Sequence, residues 1–120
     1  MAKNILIVGS GRQGISVAYD ILKNSKHNVI ISDINEECLD QAISKISGIV
    51  DSTNLSDVVV DVQDSQSMLK LLENMDVIVS AVPYEFNLAL TELVAEREID
   101  IGMAFNIAPV SYTHLRAHET

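Results

Sequence analysis

The sequence predicts an α/β chain built as a doubly wound parallel sheet of about five strands, and three observations predict it. Short apolar runs without alternation, Ile5-Leu6-Ile7-Val8, Val29-Ile30-Ile31, Val58-Val59-Val60 and Val77-Ile78-Val79, suit strands buried on both faces. Stretches with apolar residues at helical spacing lie between them. The first run also opens directly into a glycine-rich turn, Gly9-Ser10-Gly11-Arg12-Gln13-Gly14. Strand and helix in strict alternation, joined by right-handed crossovers, force a parallel sheet covered on both faces. Such sheets take ligands at the carboxyl edge of their strands, so the residues just after each strand are the ones to follow.

Ile5 to Val8 form the first strand, and each glycine after it has a separate task. Gly9 permits the tight turn, Gly11 lets a ligand's pyrophosphate approach the backbone, and Gly14 lets the new helix pack closely on the strand. The phosphates then face a helix N-terminus, whose unpaired N–H groups and positive dipole end favour an anion. Ile15, Ala18, Ile21 and Leu22 make one apolar stripe on a helix that ends near Asn24. The second strand, at 29–31, is followed by Asp33, nineteen residues after Gly14. A dinucleotide-binding βαβ unit of the Rossmann type carries a carboxylate there, which accepts hydrogen bonds from the adenosine ribose. Asp33 also precedes the helical stretch 36–46, so an N-cap is the competing reading. The third strand is expected at 58–60. Met68, Leu69, Leu71, Leu72 and Met75 mark the next helix, 77–79 the fourth strand, 86–97 a further helix and 99–103 the fifth strand.

Composition narrows the function classes. A formal charge of −9 leaves no basic face for nucleic acid or anionic lipid, and a mean hydropathy of +0.21 over 120 residues fits one globular domain. No apolar run approaches bilayer length and the N-terminus lacks a signal-peptide pattern, so the expected location is cytoplasmic. Cys38 stands alone and is expected to be a buried or half-buried structural thiol. His27 is read as an exposed loop residue, and acids such as Glu36, Glu37, Asp40, Glu92, Glu96 and Glu98 as solvated helix faces.

The stretch Asp76-Val77-Ile78-Val79-Ser80-Ala81-Val82-Pro83-Tyr84-Glu85-Phe86-Asn87, with Asp61-Val62-Gln63-Asp64 after the third strand, resembles saccharopine dehydrogenase-like oxidoreductases, including the lysine 6-dehydrogenase branch. The resemblance covers about residues 1–108. It implies an NAD(P)-dependent oxidoreductase that transfers hydride at an amino-acid carbon–nitrogen centre. It also implies that Asp61 and Val62 flank the adenine and that Ala81, Val82 and Pro83 line the path to the nicotinamide. Tyr84, Phe86 and Asn87 would face substrate; alternatively Pro83 sets a turn and Asn87 caps the next helix. The expected cofactor-binding set is therefore Gly9, Gly11, Arg12, Gln13, Gly14, Asp33, Asp61, Val62, Ala81, Val82 and Pro83. No catalytic residue and no metal site is named. Asp33, with Glu36 and Glu37 close behind it, would repel a 2′-phosphate, which favours NAD over NADP. Arg12 could pair with the pyrophosphate, stack on the adenine or reach a 2′-phosphate, or simply be exposed.

The composition changes abruptly after Pro109. Residues 110–120, with His114 and His118 at i, i+4, look like a translated sequencing adapter, so the dinucleotide-binding domain is expected at 1–109 and incomplete at its C-terminus. The substrate domain would follow, its partner a small amino-acid substrate, with homo-oligomerisation left open. The alternative function is a non-catalytic nucleotide-sensing domain of the kind that regulates potassium uptake, which shares the Gly9 to Gly14 turn. The Ser80-Ala81-Val82-Pro83-Tyr84 turn favours the dehydrogenase reading.

Overall fold

A computed structural model describes residues 2–81, residue 92 and residues 102–104. Its elements alternate as expected: β1 (Asn4–Val8), α1 (Arg12–Asn24), β2 (Asn28–Asp33), α2 (Glu36–Ser47), β3 (Leu55–Val59), α3 (Ser65–Leu72), β4 (Val77–Ser80) and β5 (Gly102–Ala104). The strands form one sheet in the order β3-β2-β1-β4-β5, and every pairing is parallel. The chain steps outward from β1 to β2 and β3, then returns to place β4 on the other side of β1. The reversal falls between β1 and β4, and it is there that the carboxyl ends of an open α/β sheet leave a crevice.

The inner strands β1, β2 and β4 send alternate residues to opposite faces, and both faces are packed against helices. Leu6, Val8 and Ile78 pack with Met68 and Leu72 of α3. Ile7, Val29 and Ile31 pack on the other face with Ala18 of α1 and Leu39, Ala42 and Ile46 of α2. This two-sided burial is why β1 reads as a continuous apolar run and not as an alternating one. The buried hydroxyl of Ser32 donates to the Ile7 carbonyl at 2.8 Å. Among the described residues, no buried side-chain nitrogen or oxygen lacks a hydrogen-bond partner.

The third strand departs most from its expected bounds. The third spans Leu55–Val59, so the triplet at 58–60 marks its end and not its centre. Among the described residues its one strand neighbour is β2, and Ser56, Asp57 and Val59 are exposed. An edge strand of that kind needs no apolar run, and a polar residue such as Asp57 on it discourages pairing with another chain. The fifth strand lies at Gly102–Ala104, in register with Val77–Val79 of β4. Val82, Pro83, Tyr84, Phe86, Asn87 and the tail after Pro109 lie outside the described residues, as does most of the expected helix at 86–97.

Gly14 decides how closely α1 sits on the sheet. A Cβ there would overlap the Gly9 carbonyl oxygen and would lie 3.5 Å from Cγ2 of Ile7. Alanine is the better helix former by about 1 kcal/mol, but the contact is with backbone and cannot rotate away. Gly14→Ala should therefore lower stability by about 1–3 kcal/mol net, the usual cost of overpacking. A urea midpoint equal to or above that of the wild type would show that α1 is free to move outward.

Candidate functional site

The crevice at the carboxyl edge, of about 400 Å³, is built from four strand ends. Val8, Gly9, Ser10 and Gly11 come from β1 and its turn, and Ser32, Asp33 and Ile34 from the end of β2. Val60, Asp61, Val62 and Gln63 follow β3, and Ala81 follows β4. Gly9 bends the chain with φ of 108°, a conformation that side chains disfavour. Its N–H donates to the Ser32 carbonyl at 2.8 Å, which ties the turn to the neighbouring strand. The next glycine, Gly11, is the N-cap of α1, with φ of −75° and no side-chain cap hydrogen bond to the first turn. A Cβ at Gly11 would meet nothing within 4 Å. The open end of α1 thus presents backbone donors and the positive end of a helix dipole to whatever occupies the crevice.

Asp33 holds this turn in place. Its Oδ2 accepts the Ser10 N–H at 2.9 Å and the Ser10 hydroxyl at 2.6 Å, and its Oδ1 accepts the Asn35 N–H at 3.0 Å. Ser10 itself is only 3% exposed. Burial pushes the Asp33 carboxyl up, but the donors outweigh it: the Asn35 N–H, the Ser10 hydroxyl and N–H, and the Ile34 N–H together hold it below its ordinary value. The helix-capping role considered for Asp33 belongs to Asn35, whose side chain accepts from the Cys38 N–H.

After β3, Asp61 accepts the Gln63 N–H at 2.9 Å and shapes the turn, while Asp64 caps α3 by accepting the Ser67 N–H and hydroxyl. Val60 and Val62 lean on the α3-side core and also line the crevice. Ile34, 64% exposed, lines the same space, so an apolar surface lies beside Asp33. A second cleft runs between the helices. Arg12, Ile15 and Ser16 of α1 and Cys38, Gln41, Ala42 and Lys45 of α2 line it, and it shares Ser10, Gly11 and Asp33 with the first. Two cations thus flank the Asp33 side of a strongly acidic chain.

Of the residues expected from sequence, Gly9, Gly11, Asp33, Asp61, Val62 and Ala81 line the crevice, and Arg12 lines the adjoining cleft. Gly14 is buried beneath the turn and Gln13, exposed, lines neither cleft. Val82 and Pro83 are outside the described residues. Cys38 departs from expectation: it is exposed, lying off the buried stripe of α2, which is made by Leu39, Ala42 and Ile46. Ser10, Ile34, Gln41 and Lys45 were not anticipated. Ser10 left a signal, a hydroxyl inside the glycine turn with a carboxylate expected opposite. Gln41 and Lys45 left none, since their approach to Arg12 is a matter of how α2 packs.

Residues 5–107 match the family described as saccharopine dehydrogenase NADP binding domain. Saccharopine dehydrogenase [NADP(+), L-glutamate-forming] of Saccharomyces cerevisiae is 29% identical over 109 residues, covering 91% of this chain and 23% of its own length. The apo structure of the histidine-tagged enzyme from that yeast superposes with a TM-score of 0.67 at 21% identity, over 93% of this chain and 24% of the enzyme. A short-chain dehydrogenase/reductase of Veillonella parvula in complex with NADP gives a TM-score of 0.66 at 14% identity, over 88% of this chain and 47% of its own. At these identities the structural likenesses speak to fold alone. The chain spans about a quarter of the yeast relative.

Because the Asp33 carboxyl lies lower folded than unfolded, its clamp stabilises the protein above the ordinary carboxylate value of about 3.9, and the benefit is lost as pH falls through the folded value. Asp51 and Asp64 are lowered as well, each chiefly by a side-chain hydroxyl, of Thr53 and Ser67 respectively, so the wild type alone will not isolate Asp33. Asp33→Asn should be less stable than the wild type at pH 7, with the gap closing below about pH 4. Denaturant titrations across that range check it; a gap independent of pH would remove the charge from the clamp.

Proposed function

The chain belongs to the saccharopine dehydrogenase NADP binding domain family, and we propose that it is the cofactor-holding unit of an oxidoreductase acting at an amino-acid carbon–nitrogen centre. The observation that carries this reading is the crevice at the sheet's reversal point, floored by the glycine turn and facing the uncapped end of α1. The residues present fit a nicotinamide dinucleotide. The first-turn N–H groups of α1 would receive the pyrophosphate, with Gly11 allowing the approach. Ile34, Asp61 and Val62 would border the adenine, and Ala81, with Val82 and Pro83 beyond it, the way to the nicotinamide. When bound, the cofactor supplies or accepts the hydride; this chain binds and orients it.

The cofactor we read for the site is NADP. The family description and the NADP complex of the Veillonella protein weigh toward it, against the preference for NAD drawn from the charge of Asp33. That preference assumed a carboxylate available to the ribose, whereas Asp33 is already engaged by Ser10 and Asn35. Arg12 and Lys45 line the cleft beside it and offer positive charge for a 2′-phosphate. The yeast relative's name couples NADP(+) to formation of L-glutamate, which supports an amino-acid substrate here. Substrate contacts and the proton-transferring group are assigned to a further domain of the enzyme. No helix among the described residues is long and apolar enough to cross a membrane.

Gly11→Ala is the direct test, because the chain itself has room for the added methyl at an ordinary φ. The variant should melt like the wild type yet bind NADPH at least about tenfold more weakly, since the methyl would stand where the pyrophosphate approaches. Unchanged affinity in a fluorescence titration would take the phosphates away from this turn. The enzyme should also reduce NADP with a basic or dicarboxylic amino acid; tight binding without turnover on any of them would return the regulatory reading.

A further inference from the structure

We infer that Ser10 is a positioning residue that sets the choice between the two nicotinamide dinucleotides: by donating its hydroxyl and its N–H to the same oxygen of Asp33, it withholds that carboxylate from the adenosine ribose and so admits the 2′-phosphorylated form. The inference rests on the dinucleotide reading above and deepens it.

A carboxylate offers about four acceptor positions, two on each oxygen. At Asp33 the hydroxyl of Ser10, at 2.6 Å, and its N–H, at 2.9 Å, take the two on Oδ2. The Asn35 N–H, at 3.0 Å, takes one on Oδ1. One position on Oδ1 is left, so a ribose that donates both of its hydroxyls to Asp33 must displace a donor the protein already supplies. The shortest of these bonds is the one from the Ser10 hydroxyl, and hydroxyl-to-carboxylate bonds of that length are the strong, charge-assisted kind.

The same donors change what a phosphate would feel. A bare carboxylate at the end of β2 repels a 2′-phosphate. Here the donor dipoles converge on the carboxylate and offset part of its field, while Arg12 and Lys45 line the cleft that shares Asp33. Ser10 has little freedom to let go: it is buried in the turn between two glycines, and the Gly9 N–H is fixed to Ser32 on the neighbouring strand. Its hydroxyl is also the one side-chain donor among those named, so it can be deleted while the backbone donors stay.

The test is a titration of the protein with NADH and NADPH by nicotinamide fluorescence, in the wild type, Ser10→Ala, Asp33→Asn and the double variant. The wild type should bind NADPH more tightly. Ser10→Ala should shift the ratio of the two dissociation constants toward NADH by about tenfold, the worth of one hydrogen bond to a charged acceptor. In the Asp33→Asn background the same Ser10 change should leave the ratio within about twofold, because the effect runs through the carboxylate. Ser10→Gly deletes the same hydroxyl and should give the same shift, which keeps the inference testable even if Ser10→Ala does not fold; an unchanged ratio in that variant would mean the hydroxyl does not govern the choice. A wild type that prefers NADH, or a Ser10→Ala variant that weakens both nucleotides equally, overturns the assignment and leaves Ser10 a purely structural role. A wild type that binds neither nucleotide overturns the dinucleotide reading itself.

Discussion

Between Gly9 and Gly14 the chain turns so tightly that the start of α1 rests on the carbonyl of Gly9, the residue just after β1. A Cβ at Gly14 has no room against that oxygen, and Gly9 reaches it through a backbone angle other residues disfavour. The rest of the site depends on this close approach. It aims the uncapped N-terminus of α1 along the carboxyl edge of the sheet, where β4 has been placed on the far side of β1.

A second constraint works sideways. Within the glycine turn, Ser10 is the residue whose side chain bonds to β2. Asp33 supplies the grip, joining the turn after β1 to the turn after β2 through a single carboxylate. The same group that stabilises the turn is, in the selectivity inferred above, also the one that conditions what the site binds. Stability and selectivity are coupled here because the acceptor positions of one carboxylate are few, and each one used by the protein is withdrawn from a ligand.

The two clefts divide their chemistry according to the layers that build them. The space over β2 and β3 is bordered by Ile34, Val60 and Val62 and suits a flat apolar group. The space between α1 and α2 is bordered by Arg12 and Lys45 and suits an anion. Both meet at Ser10, Gly11 and Asp33.

The sequence by itself determined the alternation of strands and helices, the parallel sheet, the three glycines and the acid after β2, because each is dictated locally. Two-sided burial leaves unbroken apolar runs, and a left-handed angle or a backbone contact demands glycine. The edge strand β3 was legible only in its last residues, since a strand with one neighbour and an exposed face carries a weaker apolar signal. Tertiary structure alone decided how Asp33 is used. Sequence spacing brings a carboxylate to the end of β2, but whether its oxygens face a ligand or a serine depends on how β1 and β2 are paired, Val8 against Ser32, and on the turn that follows. It also decided that Lys45, thirty-three residues from Arg12, lines the same cleft. Hydrogen bonds and charge pairs of this kind form between residues distant in the chain, and their geometry comes into being only when the layers pack.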